Sequence, residues 1–111
     1  MLCVDVFQAV ADPVRRELVE VLAGGERSAG ELAEHAANRF GLTQPGTSKH
    51  LRALRDAGVV ASRVDGKRRV YRLRPARVRE LADWAERMTR FWDARLDALG
   101  AALERETGDP R

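Results

Sequence analysis

A chain of 111 residues with 44% hydrophobic and 5% aromatic content fits one domain of common size with a modest core. No run approaches the roughly 18 consecutive apolar residues of a membrane span, and Met1-Leu2-Cys3-Val4-Asp5-Val6 has neither a basic start nor a long apolar stretch, so no signal peptide is expected and the chain reads as cytoplasmic. The net charge of +3 is unevenly placed: from Ser48 to Arg79 eleven Lys and Arg face two Asp, while the rest holds nine basic against fifteen acidic residues.

Cys3 is the single cysteine, which excludes an intrachain disulfide and a multi-cysteine metal cage. With no resolving partner, an inert thiol is favoured over a redox switch. Val6, Phe7 and Val10 share one face of a first helix. Asp12-Pro13 then reads as a cap followed by proline in the first turn, and Val14, Leu18, Val21 and Leu22 give the second helix an apolar stripe that ends at Gly24-Gly25. Ser28-Ala29-Gly30-Glu31 has the spacing of a capping box and opens a third helix with Leu32, Ala33, Ala36 and Phe40. Gly41 breaks it. Thr43 caps a fourth helix, Gln44 to about Ala57, with Pro45 in its first turn and Gly58 beyond its end.

The period then changes. Val59 to Val64 and Arg69 to Leu73 flank Asp65-Gly66-Lys67-Arg68, a strong hairpin signal. From Ala76 to about Arg105 apolar residues recur at Leu81, Trp84, Met88, Phe91 or Trp92, Leu96, Leu99 and Leu103, a stripe longer than so small a body covers alone. The expected fold is mostly α with a small β-hairpin, a winged helix-turn-helix in the order α-α-α-α-β-β-α. One domain is expected over 1–106, with the helix-turn-helix at about 28–57, the wing at about 59–74 and the last helix at about 76–105. Residues 107–111 read as a flexible tail.

A helix-turn-helix followed by a basic hairpin points to double-stranded DNA. No acid occurs from Gly41 to Arg55. On the fourth helix Thr47, Leu51 and Leu54 share the inward side, and Gln44, Ser48, Lys49, Arg52 and Arg55 lie largely on the other. Glutamine, serine, lysine and arginine are side chains that read base edges or hold phosphates. Lys67, Arg68 and Arg69 at the hairpin tip, with Arg63 and Arg72 on its strands, would meet phosphates or a narrow minor groove. The expected DNA-contacting set is Gln44, Thr47, Ser48, Lys49, Arg52, Arg63, Lys67, Arg68 and Arg69, with Asp65 as a turn-former. A solvated basic face, or a winged-helix protein-interaction module that never binds DNA, is the alternative. The basic helix and basic hairpin together argue against it. No catalytic set is visible, so no enzyme is expected.

His50 borders the inward side, where a hydrogen-bonded structural role is favoured over a base contact. Glu31 and His35 are spaced i, i+4 but bring too few ligands for a metal site. Trp84 and Trp92, with Met88 between them, fit interface packing better than a small-molecule pocket.

Five stretches carry a specific resemblance: Phe7 to Arg16, Glu31-Leu32-Ala33-Glu34, Gln44 to Leu54, Ala57-Gly58-Val59-Val60, and Gly66 to Leu73. In this order they closely resemble the ArsR-type (arsenical-resistance repressor) winged-helix family, over nearly residues 6–104. The resemblance implies a homodimeric repressor that responds to an effector, here a small molecule of unspecified chemistry. It also implies dimerisation through the first and last helices, hence through Val6, Phe7, Leu81, Trp84, Met88, Phe91, Trp92, Leu96, Leu99 and Leu103. The family's arsenic and cadmium/lead sensors carry Cys-x-Cys on the third helix, but Leu32-Ala33-Glu34-His35-Ala36 has no cysteine. Its zinc and nickel sensors use ligands on the last helix, and no histidine follows His50. The likeness is therefore to a branch without known metal sites, and no metal or other cofactor is expected.

Overall fold

The computed structural model describes residues 2–107, with side chains described over 6–105. The Cys3 side chain and residues 108–111 of the expected tail lie outside the described residues. Helix α1 spans Leu2–Ala11 and α2 spans Pro13–Ala23. Asp12 separates them, its side chain accepting from the amides of Val14 (2.8 Å) and Arg15 (3.2 Å). The carbonyls orphaned at the end of α1 are met by the first residues of α2. Arg15 donates to Ala9 O (2.6 Å) and Gln8 O (2.9 Å), and Arg16 donates to Val10 O (3.1 Å) and Ala11 O (3.2 Å). Two consecutive arginines thus close α1 where no glycine follows it.

Strand β1 is only Arg27–Ser28 and is not expected from the sequence. The observed order is therefore α-α-β-α-α-β-β-α, a correction to the predicted one. Helix α3, Ala29–Phe40, starts on the expected capping box: the Ser28 amide donates to Glu31 (2.7 Å) and the Glu31 amide to the Ser28 hydroxyl (3.1 Å). It ends on Gly41 at φ 68°, a left-handed conformation that side-chain-bearing residues seldom adopt. Helix α4, Gln44–Asp56, starts at Thr43, whose hydroxyl accepts from the Gly46 amide (3.1 Å).

Strands β2 (Val60–Asp65) and β3 (Arg68–Leu73) pair antiparallel, with Asp65 opposite Arg68. The turn is therefore Gly66-Lys67, and Gly66 alone of the two has positive φ, 65°. Strand β1 joins the other edge of β3, Arg27 opposite Tyr71, giving the sheet order β1-β3-β2. Helix α5 spans Pro75–Thr107, so Thr107 closes a helix where a tail is expected to begin.

Two units divide the chain, Met1–Leu81 and Ala82–Arg111. The first holds the core: Leu18, Leu22, Leu32, Leu51, Leu54, Val59, Val60 and Tyr71, with Val78 and Leu81 packed against it. Val6 belongs to this core at 0% exposure. It cannot face a partner copy as expected, because no part of it reaches the surface. In the second unit Phe91 and Trp92 meet edge to face at 5.9 Å, Arg95 lies over Phe91 at 5.4 Å, and Glu86 pairs with Arg90 at 3.1 Å.

Candidate nucleic-acid interface

Helix α4 is built so that its chemistry sits outside. Leu51 and Leu54 are buried, and Gln44, Ser48, Lys49, Arg52 and Arg55 are exposed. Thr47 is the exception in the expected DNA-contacting set. It is 1% exposed and its hydroxyl donates to the Thr43 carbonyl at 3.1 Å, so it fastens the first turn and has no surface to offer DNA.

At 100° per residue the positions outside the core divide into two flanks. Gln44, Ser48, Arg52 and Arg55 fall on one, Lys49, Ala53 and Asp56 on the other. The first flank faces β3 across a cavity of about 360 Å³ lined by Ala29, Ser48, Arg52, Arg55, Arg69 and Tyr71. Three guanidinium groups and no carboxylate line it. The second flank meets α1 and α2 at a cavity of about 300 Å³ lined by Gln8, Ala9, Arg15, Ala53, Asp56 and Ala57. There Arg15 is committed to the α1 carbonyls and also lies 3.4 Å from His50 Nδ1. The half-buried ring thus has the hydrogen-bonded place expected for it.

Lys67, Arg68 and Arg69 are exposed on the hairpin. Arg68 lies 3.8 Å from Asp65 across the turn, and one guanidinium nitrogen of Arg69 donates to the Ser62 hydroxyl on β2 at 3.1 Å. Arg63 is different. Its guanidinium donates to Glu26 at 2.7 Å, and that bond, with its charge, holds the Glu26 carboxyl below its ordinary range and raises Arg63. Glu26 is not among the expected site residues, because nothing local links it to a strand 37 residues on. Arg55 is absent from the expected DNA contacts, although its place three after Arg52 and seven after Ser48 puts it on their flank.

His35 pairs with Glu17 on α2 at 2.8 Å, and Glu31 is engaged in the α3 cap. The two side chains therefore point to different partners. Among the described residues no group of three or more His, Cys, Asp or Glu could hold a metal ion, and no helix is long and apolar enough to cross a membrane.

Residues 10–63 match the family model of a helix-turn-helix domain. A protein named "probable mercury resistance operon repressor", from Streptomyces lividans, is 43% identical over 75 residues. They make up 68% of this chain and 57% of that protein, so the chain spans little more than half of that relative's length. The HTH-type transcriptional regulator Rv2034 of Mycobacterium tuberculosis is 37% identical over 103 residues, 93% of this chain and 90% of that one. Among solved structures, the homodimeric winged helix-turn-helix DNA-binding domain Mb0332 of Mycobacterium bovis is similar with a TM-score of 0.64 at 26% identity. That likeness covers 84% of this chain and 83% of the other.

Proposed function

The chain belongs to the ArsR family of winged helix-turn-helix transcriptional regulators, and on that premise we propose that it is a cytoplasmic, homodimeric repressor reading an inverted-repeat operator in double-stranded DNA. The observation that carries this reading is the acid-free flank of α4 lying beside a basic hairpin. Phosphate neutralisation supplies affinity and the helix supplies sequence discrimination. The homodimer rests on the exposed apolar stripe of α5, with Phe7 of α1 added, and on the homodimeric structural relative. Two-fold symmetry would set the half-sites in successive major grooves, roughly 10 base pairs apart centre to centre.

Gln44 and Ser48 project from the first turns of α4 and specify bases. Removing one bidentate hydrogen-bond pair costs on the order of 1–3 kcal/mol of discrimination at that position. Lys67 and Arg68 hold phosphates. Truncating one weakens all sequences alike and flattens the salt dependence by about one unit for each phosphate no longer neutralised, about two for a symmetric dimer. The test is affinity against salt for a selected duplex and its scrambled counterpart, using Gln44→Ala and Arg68→Ala. If Arg68→Ala changes base preference and leaves the salt slope intact, the division of labour is wrong. A wild-type protein that binds neither duplex sinks the DNA reading itself.

A further inference from the structure

Arg52, Arg55 and Arg69 come from two elements, α4 and β3, yet line one cavity of about 360 Å³. Like charges gathered in a concavity repel one another and raise its positive potential. Among the described residues no carboxylate forms an ion pair with any of the three, in contrast to Arg63, Arg68 and Arg77, which pair with Glu26, Asp65 and Glu80. Buried Tyr71, half-buried Ala29 (the first residue of α3) and exposed Ser48 complete its lining. Guanidinium forks match the paired oxygens of a phosphate, and three of them can share its oxygens without a base being read.

We propose that this cavity is a phosphate site, filled by one backbone phosphate of the bound duplex, which ties the recognition helix to the wing. This deepens the DNA reading above and rests on it. It also gives Arg52, one of the expected DNA contacts, a phosphate and not a base edge to hold, and brings Arg55 into the interface. Because helix and wing grip the same phosphate, loss of either arginine partner releases both elements from that point of the duplex.

The experiment uses the full chain and a duplex selected by it from random sequence, with each backbone phosphate replaced in turn by a neutral methylphosphonate. In wild type, the position seated in the cavity should lower affinity about tenfold in each half-site, the size expected of a charge-assisted hydrogen-bond set, beside the positions held by Lys67 and Arg68. Arg55→Ala and Arg69→Ala change both half-sites of a symmetric dimer at once, so each should lower affinity for unmodified duplex by up to about a hundredfold, with circular dichroism unchanged, and should be insensitive to methylphosphonate at that position. If both variants bind like wild type while Lys67→Ala still weakens binding, the phosphate site is wrong and the DNA reading stands. If they lose affinity but stay equally sensitive at every position, the three arginines do not share a phosphate. A third arm titrates inorganic phosphate into the DNA-free protein and follows the arginine Nε–H resonances. Shifts of Arg52, Arg55 and Arg69 there, with no duplex position at which the two variants lose methylphosphonate sensitivity, would assign the site to a free anion and overturn the backbone assignment.

Discussion

In the unit that ends at Leu81, Leu18, Leu32 and Leu54 are fully buried, whereas in the unit that begins at Ala82, Trp84, Phe91, Trp92, Leu96, Leu99 and Leu103 are 44–58% exposed. Both sets recur at helical spacing, so sequence pattern alone does not separate them. The difference is what lies opposite. Residues on α2, α3, α4 and the sheet converge on one core, and burying each large side chain there contributes about 1.5–3 kcal/mol. The outer part of α5 has a stripe of the same kind on its surface, and a contiguous exposed apolar stripe marks a binding face. The first unit can therefore be stable by itself, and the second needs a partner, which we assign to a second copy.

The largest effect should come from breaking the second unit's side of this contrast. Met88→Glu with Leu99→Glu places four charges on the stripes of a symmetric dimer. The loss should be on the order of 5 kcal/mol of association free energy, several thousandfold in dissociation constant. Sedimentation should find monomers, and circular dichroism should still find a folded first unit. A wild-type protein that sediments as a monomer at micromolar concentration would refute the assignment. Next in size is the core itself. Leu32→Ala should cost about 2–5 kcal/mol in urea unfolding at fixed protein concentration. A cost below about 1 kcal/mol would mean that the first unit draws its stability elsewhere.

What could be read from the sequence was local. Asp12, Ser28 with Glu31, Thr43 and Gly41 mark helix ends because their side chains or backbone freedom act within four residues, and all four act as expected. The hairpin followed from Asp65-Gly66, though the turn centres on Gly66-Lys67. What escaped was long-range. Strand β1 is two residues long and is defined by pairing with β3, and the Glu26–Arg63 and Glu17–His35 pairs join elements far apart in the chain. Thr47 lay on the inward side by spacing and still looked like a DNA contact, because hydroxyls serve both roles. Burial decides it. The convergence of Arg52 and Arg55 with Arg69 depends on tertiary placement that sets α4 and β3 on two sides of one cavity, which periodicity does not encode.

The smallest effect tests whether the first unit is independent of the stripe. Partial burial by itself raises the Asp12 carboxyl, but the amides of Arg15 and Val14, with the charges of His50 and Arg15, outweigh it and leave the group below its ordinary value of 3.8. A carboxyl whose folded value is depressed adds stability that is complete above the unfolded-state value. That stability is lost as the pH falls through the folded one, because the unfolded chain then binds the proton more readily. Asp12→Ala should therefore cost about 1 kcal/mol near neutral pH, the usual worth of a helix cap. The gap to wild type should narrow below about pH 4. Asp12→Asn keeps an acceptor for the Val14 and Arg15 amides without the charge, so it should lose less and show no such acid dependence. The same increments should appear in the Met88→Glu, Leu99→Glu background, since sites that share no partner add. An Asp12→Ala loss that is equal at pH 3 and pH 7 would show that the carboxylate charge is not what caps α2. A loss that disappears in the monomeric background would show that the stripe and the first unit are not independent.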